Sequence, residues 1–350
     1  MRRGIVEHFA EQAGFCAAMG SPFTGQLIEA LARDLESGGP TAALVGDWQG
    51  SPRGDALALR LTGALHAAVL SGRAHDLAGQ YPAHNAGWSM EVVWPLARAF
   101  LQREQAWTAG FIRSAPQTNE TRRAIALLAG FLEIAKQYNA PIDILEIGAS
   151  AGLNLNWDRF AYRTASWTWG PDSPVRIDTD WSGPRPALDA VIQVRARAAC
   201  DLNPLDMTDP AQRLQLRAYV WADQVDRLAR FDAAAQMAVD AGATVERADA
   251  GDWLRERLAR RAHDGVTVVY HSIFYQYPPP QTRQRIADII AEAGMAGPAP
   301  LVWLRLEPEA FFGGPRDSVR IFVDMASWPG GATRILAETD GHVRYVQSLL

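Results

Sequence analysis

The sequence predicts an α/β fold in two parts. A helical N-terminal cap domain is expected at residues 1–140, and a mostly parallel sheet with helices on both faces at residues 141–350. Up to residue 140, apolar residues recur at helical spacing between Gly- and Pro-containing breaks. Beyond residue 140, short apolar runs alternate with amphipathic segments, which is typical of parallel strands joined by helices.

Five helices are predicted in the N-terminal part. They cover residues 5–19, 23–35, 57–70, 91–104 and a segment that opens at residues 116–120 and ends near Tyr138. Gly20-Ser21-Pro22 separates the first two. Thr118 or Asn119 is placed to accept hydrogen bonds from the free N–H groups at the start of the fifth helix.

Five strands are predicted in the second part, with helical segments between several of them. The strands cover residues 142–147, 191–199, 244–247, 266–270 and 301–306, and the helices cover residues 211–231, 252–261 and 281–293. In the first of these helices, Asp223 precedes Arg227 by four residues, a spacing at which the two charges can pair. A Trp- and Pro-rich stretch at residues 157–186 interrupts the alternation and is expected to be an inserted loop or hairpin.

Composition narrows the class of protein. The 350-residue chain has a net charge of −5, which does not favour nucleic-acid binding. Its polar N-terminus and the lack of a long apolar run lead us to expect a cytoplasmic protein that is not in the membrane. The single lysine, Lys136, excludes a Gly-Lys-Ser/Thr phosphate loop. The two cysteines and seven histidines show no metal-binding spacing, so we expect no metal site.

The stretch LEIGASAGLNL at residues 145–155 has two interpretations. As Gly-x-Ser-x-Gly it matches the nucleophile turn of serine hydrolases, with Ser150 as nucleophile and Asp317 and His342 following in the required order. This match is a loose one, and the helical character of residues 1–140 does not provide the strands that normally precede such a turn.

The same stretch also fits a turn that receives a nucleotide cofactor after the first strand of a doubly wound sheet. Ligands of such sheets lie at the carboxyl ends of the strands. Asp201 follows the second predicted strand, where an acid can accept both ribose hydroxyls. Asp249 follows the third, where a carboxylate can accept from an adenine amino group. The segment YHSIFYQYPPP follows the fourth.

This order of groups resembles the class I S-adenosylmethionine-dependent methyltransferases over roughly residues 141–306. Glu146, Gly148 and Gly152 match the family's acid-x-Gly-x-Gly-x-Gly loop, in which Ser150 stands where the family has its middle glycine. The resemblance implies a Rossmann-like, methyltransferase-type sheet and S-adenosylmethionine as cofactor. The residues expected to bind the cofactor are Glu146, Gly148, Ser150, Gly152, Asn154, Asp201 and Asp249.

Longer strings resemble a bacterial family known as domain of unknown function 2332. They include QTNETRR, EIGASAGLNLNWDR, CDLNPLD, TVVYHSIFYQYPP and WLRLEP. This resemblance implies the methyltransferase-like fold and specifies no reaction.

Candidate catalytic residues follow the fourth strand. His271 is a candidate general base, and Tyr275 and Gln276 are candidates for positioning a substrate. In the string QTNE, Asn119 and Glu120 are candidate contacts to the substrate or to the methionine part of the cofactor. Both sets also have structural interpretations, as a core histidine and as a capped helix start.

The sequence therefore predicts transfer of a methyl group from S-adenosylmethionine to a small molecule that the sequence does not identify. A non-catalytic binding or sensor protein of the same fold is the alternative, and a serine hydrolase using Ser150 is less favoured. The sequence makes no prediction of the oligomeric state.

Overall fold

The computed structural model describes residues 2–315 and 318–350, which form two compact units. The first, helical unit comprises the residues up to Thr118 together with Thr208–Asp232. The second, sheet unit comprises Asn119–Met207 and Ala233–Leu350. The sequence predicts a boundary at residue 140 instead. Residues 119–140 lie in the sheet unit because their helix packs on the sheet.

The described helices agree with the predicted ones at most positions and add several short ones. They are α1 (Arg2–Ala18), α2 (Pro22–Glu36), α3 (Pro40–Val45), α4 (Leu57–Leu70), α5 (His75–Ala78), α6 (Met90–Arg103), α7 (Gln105–Phe111), α8 (Arg123–Tyr138), α9 (Pro210–Ala218), α10 (Val225–Asp240), α11 (Ala250–Ala259) and α12 (Pro280–Met295). Two 3-10 helices lie at Leu153–Arg159 and Glu309–Phe312. No described helix has both the length and the apolar character needed to cross a membrane.

Helix α4 forms the centre of the helical unit. It is buried along most of its length, and Leu61 and Leu65 pack in one cluster with Phe9 of α1 and Leu31 of α2. Burial of a Leu or Phe side chain contributes roughly 1.5–3 kcal/mol, so these contacts hold the helices of this unit together.

The helix predicted at residues 211–231 is interrupted between α9 and α10. Asp223 lies in the loop between α9 and α10. Its carboxylate accepts hydrogen bonds from Ser21 Oγ and from the N–H of Phe23, at 2.9 Å for the second. Ser21 is the N-cap of α2 and makes no side-chain cap of its own. Asp223 therefore caps α2 and precedes α10, so the helical spacing on which its predicted pairing with Arg227 rested is absent.

The sheet unit contains a nine-stranded, mostly parallel sheet and a smaller three-stranded one. The strands are β1 (Ile142–Ile147), β2 (Ala161–Arg163), β3 (Thr168–Trp169), β4 (Arg176–Asp178), β5 (Asp180–Ser182), β6 (Val194–Asp201), β7 (Glu246–Arg247), β8 (Val266–Ser272), β9 (Leu301–Pro308), β10 (Ile321–Trp328), β11 (Ala332–Thr339) and β12 (Tyr345–Ser348). The order in the large sheet is β5-β12-β11-β10-β9-β8-β1-β6-β7, and the small sheet is β3-β2-β4.

The five predicted strands are β1, β6, β7, β8 and β9, and they pair in parallel. Strands β10 to β12 extend the sheet with antiparallel neighbours and were not predicted. The stretch at residues 157–186 is more than a loop or hairpin, because it builds the small sheet and supplies β5 to the edge of the large one.

Helices cover both faces of the large sheet. On one face, Leu145, Val269 and Trp303 pack with α11 and α12. On the other face lies α8, where Gly130 approaches Leu304 so closely that a Cβ atom would lie 2.4 Å from its methyl carbon. Adjacent residues of a strand point to opposite faces, so each strand that ends between these layers delivers side chains to both.

The strand order creates a switch point between β1 and β8. From β1 the chain passes to β6 and then β7 on one side, and it returns to β8 and β9 on the other side. In sheets of this kind, the crevice at the carboxyl ends of the two strands that flank the switch point is where ligands bind. The residues that follow β1 and β8 therefore define the candidate site.

Candidate functional site

The turn after β1 alternates between ordinary and left-handed backbone. Gly148, Ser150 and Gly152 have φ values of +66°, +56° and +67°. The left-handed conformation is strained for a residue with a Cβ, so Ser150 is held there by its surroundings. It follows that the turn is a fixed feature of the site.

Three N–H groups in and directly after this turn donate to partners within the sheet unit. The N–H of Ala149 donates to the carbonyl of Cys200, and that of Gly152 donates to the carbonyl of Ala149. The N–H of Leu153, at the start of the following 3-10 helix, donates to Asn119 Oδ1 over 2.9 Å. These groups are therefore not available to cradle a phosphate.

Asp201, at the end of β6, joins the turn after β1 to the turn after β6. Its Oδ2 accepts from the N–H of Ser150 and its Oδ1 accepts from the N–H of Asn203, both at 2.8 Å. Each carboxylate oxygen retains a second lone pair that can accept a ligand hydroxyl. Asp201 thus fixes the turn and remains able to accept from a ribose.

Glu146 is the buried acid of the site. It is 3% exposed, and its Oε2 accepts a hydrogen bond of 3.0 Å from the hydroxyl of Tyr270 on β8. Burial raises the pKa of Glu146 to about 8; the negative charge of Asp201 acts in the same direction, and the Tyr270 hydrogen bond opposes it. At neutral pH the carboxyl group is therefore mostly protonated, and a cation brought beside it would displace that proton.

Several polar atoms near the turn are buried and have no hydrogen-bond partner among the described residues. They are Ser150 Oγ, Asn154 Oδ1, both amide atoms of Asn156 and Trp157 Nε1. Asn154 is tied to the site because the Tyr270 hydroxyl lies 3.4 Å from its carbonyl oxygen. Buried polar atoms left in this state cost roughly 1–3 kcal/mol each, so a polar ligand that reached them would gain affinity.

The structure brings the QTNE segment against the same turn. Asn119 Oδ1 accepts from the N–H of Leu153. It does not cap α8, the helix that the sequence predicts it to cap. The carbonyl of Glu120 accepts from Asn154 Nδ2 over 3.4 Å, and its side chain is buried. Both candidate substrate residues therefore support the wall of the site through the 3-10 helix that follows the turn.

Asp249 has a structural role in the described fold. It is the N-cap of α11, where its Oδ1 accepts from the N–H groups of Gly251 and Asp252 at 3.0 and 3.1 Å. The same oxygen lies 3.2 Å from Arg285 Nη1. The carboxylate expected at the adenine end thus already has three partners.

His271 is more deeply buried than a general base facing a substrate would be. Its exposed fraction is 0%, its Nδ1 lies 2.7 Å from Glu307 Oε1, and the ring stacks on Tyr275 with centroids 4.8 Å apart. It follows Tyr270 on β8 and so points to the α11/α12 face, whereas Glu146 and Tyr270 point to the α8 face. Gln276 is exposed. The predicted catalytic and cofactor residues therefore lie on different faces.

Phe274 lies in the turn after β8 and contacts the turn after β1 across the switch point. A Cβ atom built on Gly148 would lie 2.2 Å from the Phe274 ring, so only glycine fits beneath this ring. The sequence prediction included neither Phe274 nor Glu307. Glu307 carries a detectable signal, since it and Arg305 are the two charged residues of β9.

One feature of Ser150 favours the hydrolase interpretation and another opposes it. The positive φ of Ser150 is the strained geometry that a nucleophile turn requires. However, Ser150 Oγ makes no hydrogen bond within residues 2–315 and 318–350, so no described histidine activates it. Asp317, the acid proposed for that triad, lies outside the described residues.

No three His, Cys, Asp or Glu side chains of the described chain are grouped so as to hold a metal ion. Among known proteins, a family model described as "Uncharacterized protein conserved in bacteria (DUF2332)" matches residues 6–347. No curated protein and no solved structure matches the chain.

Proposed function

The chain belongs to the DUF2332 family, and we propose that it binds S-adenosylmethionine at the switch point and transfers its methyl group to a small molecule. The observation that carries this proposal is the chemistry of the turn at residues 148–152. The carboxyl groups of Glu146 and Asp201 lie beside this turn, and the N–H groups of Ala149, Ser150 and Gly152 already have partners.

This arrangement distinguishes between two classes of nucleotide cofactor. A dinucleotide places its pyrophosphate on free N–H groups at the start of an α-helix. Here the segment after the turn is a seven-residue 3-10 helix whose first N–H is bound by Asn119. A cofactor without phosphate, with an ammonium group and ribose hydroxyls, complements Glu146 and Asp201 instead.

The residues present fit this cofactor in three respects. Glu146 would receive the ammonium group, Asp201 would accept from the ribose, and the unpartnered atoms of Ser150 and Asn154 would meet further polar groups. When bound, S-adenosylmethionine supplies a methyl group on a positively charged sulfur. The strand order β7-β6-β1-β8-β9 is also the order of doubly wound nucleotide-binding sheets.

The protein's part in the reaction is to bind and align two molecules, because methyl transfer is an in-line displacement. Tyr270 and Asp201 fix the positions of Glu146 and the turn. For an acceptor that carries a proton, a base is also required. His271 remains our candidate, and because it is fully buried, a substrate would reach it only after neighbouring side chains move.

A second candidate function is a binding or sensor protein that uses the same cofactor site without catalysis. The complete burial of His271 favours it, since a base that no substrate reaches contributes nothing to turnover. The two functions share the cofactor site and differ in whether a methyl group is transferred.

The experiment that tests the proposal is calorimetric titration with S-adenosylhomocysteine, adenosine and NAD. We expect micromolar binding of S-adenosylhomocysteine, weaker binding of adenosine, which lacks the ammonium group, and no binding of NAD. Glu146→Gln should weaken S-adenosylhomocysteine binding by about tenfold or more, as expected for loss of a charge-assisted hydrogen bond.

Asp34→Asn is the matched control, because Asp34 is a buried carboxylate of the helical unit that contacts Thr41 and Arg98. It should leave the affinity unchanged. Binding of NAD in preference to S-adenosylhomocysteine, or of neither compound to folded protein, would contradict the proposal. Labelling of Ser150 by a fluorophosphonate probe would indicate the hydrolase.

A further inference from the structure

Glu307 holds three groups with one carboxylate oxygen. Its Oε1 accepts from His271 Nδ1 at 2.7 Å, from the N–H of Phe274 at 2.7 Å and from the N–H of Tyr275 at 3.2 Å. Both the Glu307 and the His271 side chains are fully buried. A buried carboxylate with three donors is a strong local constraint, because its removal leaves three buried groups to find new partners.

The turn that Glu307 holds is strained. Ile273 has a φ of +51°, a conformation that a β-branched residue adopts only when its surroundings impose it. Its N–H donates to the carbonyl of Leu306 over 2.7 Å. The turn at residues 272–275 is therefore fixed to the end of β9 by consecutive N–H groups, two of which end on Glu307.

This fixed turn determines where Phe274 lies. The Phe274 ring contacts Gly148 in the turn after β1 and lies 5.5 Å from the His271 ring, centroid to centroid. Glu307 thus acts on residues that follow both strands of the switch point, although no contact joins its side chain directly to Gly148.

We propose that Glu307 is the positioning residue that assembles the two turns of the switch point and fixes the proton of His271 on Nδ1. Because a carboxylate accepts and does not donate, an imidazole that carries a single proton holds it on Nδ1 and presents an unprotonated Nε2. That Nε2 is buried and has no hydrogen-bond partner among the described residues. Any effect of Glu307 on the binding of S-adenosylmethionine rests on the proposed function, whereas its role in assembling the two turns does not.

The test compares Glu307→Gln with Asp324→Asn. Asp324 is a fully buried carboxylate on β10 that pairs with Arg305 of β9, so it controls for loss of a buried acid on the same sheet face. Two ligand-free readouts are measured: 15N NMR of the His271 ring, which distinguishes its tautomers, and hydrogen exchange of residues 148–152 and 272–275.

We expect wild-type protein to have His271 protonated on Nδ1. In Glu307→Gln the two tautomers should mix, because an amide both donates and accepts, and exchange in both turns should rise about tenfold or more. Asp324→Asn should leave the His271 proton on Nδ1 and raise exchange less than Glu307→Gln does, because its carboxylate accepts from Arg305 and from none of the three groups that Glu307 holds. Unchanged tautomer and unchanged exchange in folded Glu307→Gln would overturn the proposal.

Phe274→Ala decides the question if Glu307→Gln does not fold. Loss of the ring should increase exchange at residues 148–152 and leave the His271 tautomer as in wild type. Slow exchange at residues 148–152 in this variant would refute the assembly of the two turns through Phe274. Titration with S-adenosylhomocysteine is a separate arm: if wild-type protein does not bind it, the proposed function fails while the tautomer and exchange still decide the role of Glu307.

Discussion

Glu146 is the residue on which the account depends most. A carboxyl group that is 3% exposed and has a pKa of about 8 is costly to ionise, and the cost is recovered when a cation is bound beside it. The sequence indicated this residue by position, since it lies two residues before Gly148, where the glycine turn begins. Its burial and its contact with Tyr270 depend on the pairing of β1 with β8, which a single strand does not reveal.

The raised pKa of Glu146 gives a pH dependence of stability with a defined sign. The folded protein holds this proton up to about pH 8, whereas an unfolded glutamate loses it near pH 4.5. The free energy of unfolding should therefore fall as pH rises between these values, by up to about 1.4 kcal/mol per pH unit from this group. Urea denaturation of wild type and Glu146→Gln from pH 5.5 to 8.5 measures it.

The difference between the two proteins should grow in favour of Glu146→Gln as pH rises, and level off above pH 8. Glu256→Gln, which removes an exposed carboxylate of α11, is the control and should run parallel to wild type. A wild-type and Glu146→Gln pair with parallel profiles would mean that Glu146 is charged in the folded protein.

Gly148 and Gly242 allow the contact with Phe274 to be measured separately from backbone strain. Their φ values are +66° and +62°, but a Cβ atom on Gly242 meets nothing within 4 Å. Gly242→Ala should cost about 1 kcal/mol, the strain alone, and Gly148→Ala should cost at least 1 kcal/mol more. Adding Phe274→Ala to Gly148→Ala should remove that excess. Equal losses in the free energy of unfolding for the two glycine variants would show that the Phe274 ring moves aside without measurable cost.

At the level of elements, strong patterns were predictable and weak ones were not. Helix α4 and strand β1 have the predicted bounds because their apolar residues leave no alternative register. Strand β11 was missed since its first four residues are exposed, which removes the alternation that marks a half-buried strand. Strand β10 was missed because it carries the buried Asp324, whose partner Arg305 lies on another strand.

The break between α9 and α10 has the same kind of explanation. Residues 219–224 have an amphipathic pattern, but Asp223 is committed to Ser21 and Phe23 at the start of α2, which lies about two hundred residues earlier in the chain. Propensity within one segment does not indicate such a partner. The segment therefore belongs to the helical unit, contrary to what its position in the sequence suggests.

Asp223→Ala tests this cap. Loss of the acceptor for Ser21 and for the N–H of Phe23 should destabilise the helical unit by about 1–2 kcal/mol. Chemical denaturation followed by far-ultraviolet circular dichroism gives the change. Asp226→Ala, at the exposed first turn of α10, is the control and should destabilise the protein less. Equal destabilisation by the two variants would show that the Asp223 carboxylate does not stabilise the start of α2.

At the level of the whole chain, the division into a helical part and a sheet part was predictable, and the assignment of residues 208–232 was not. The candidate site was likewise only partly predictable from the sequence. Glu146, Gly148, Gly152 and Asp201 follow from the pattern at strand ends. Phe274 and Glu307 do not, because their roles arise from contacts between β8, β9 and the turn after β1. The capping role of Asp249 is a local feature that competed with the ligand interpretation.

The central claim is that a buried, protonated Glu146 receives the ammonium group of S-adenosylmethionine or S-adenosylhomocysteine. The most direct measurement is calorimetric binding of S-adenosylhomocysteine at pH 7 in two buffers that differ in their enthalpy of ionisation, which counts the protons released. We expect release of close to one proton in wild-type protein and none in Glu146→Gln. Binding with no proton release, equal in both proteins, or no binding to folded protein would contradict it.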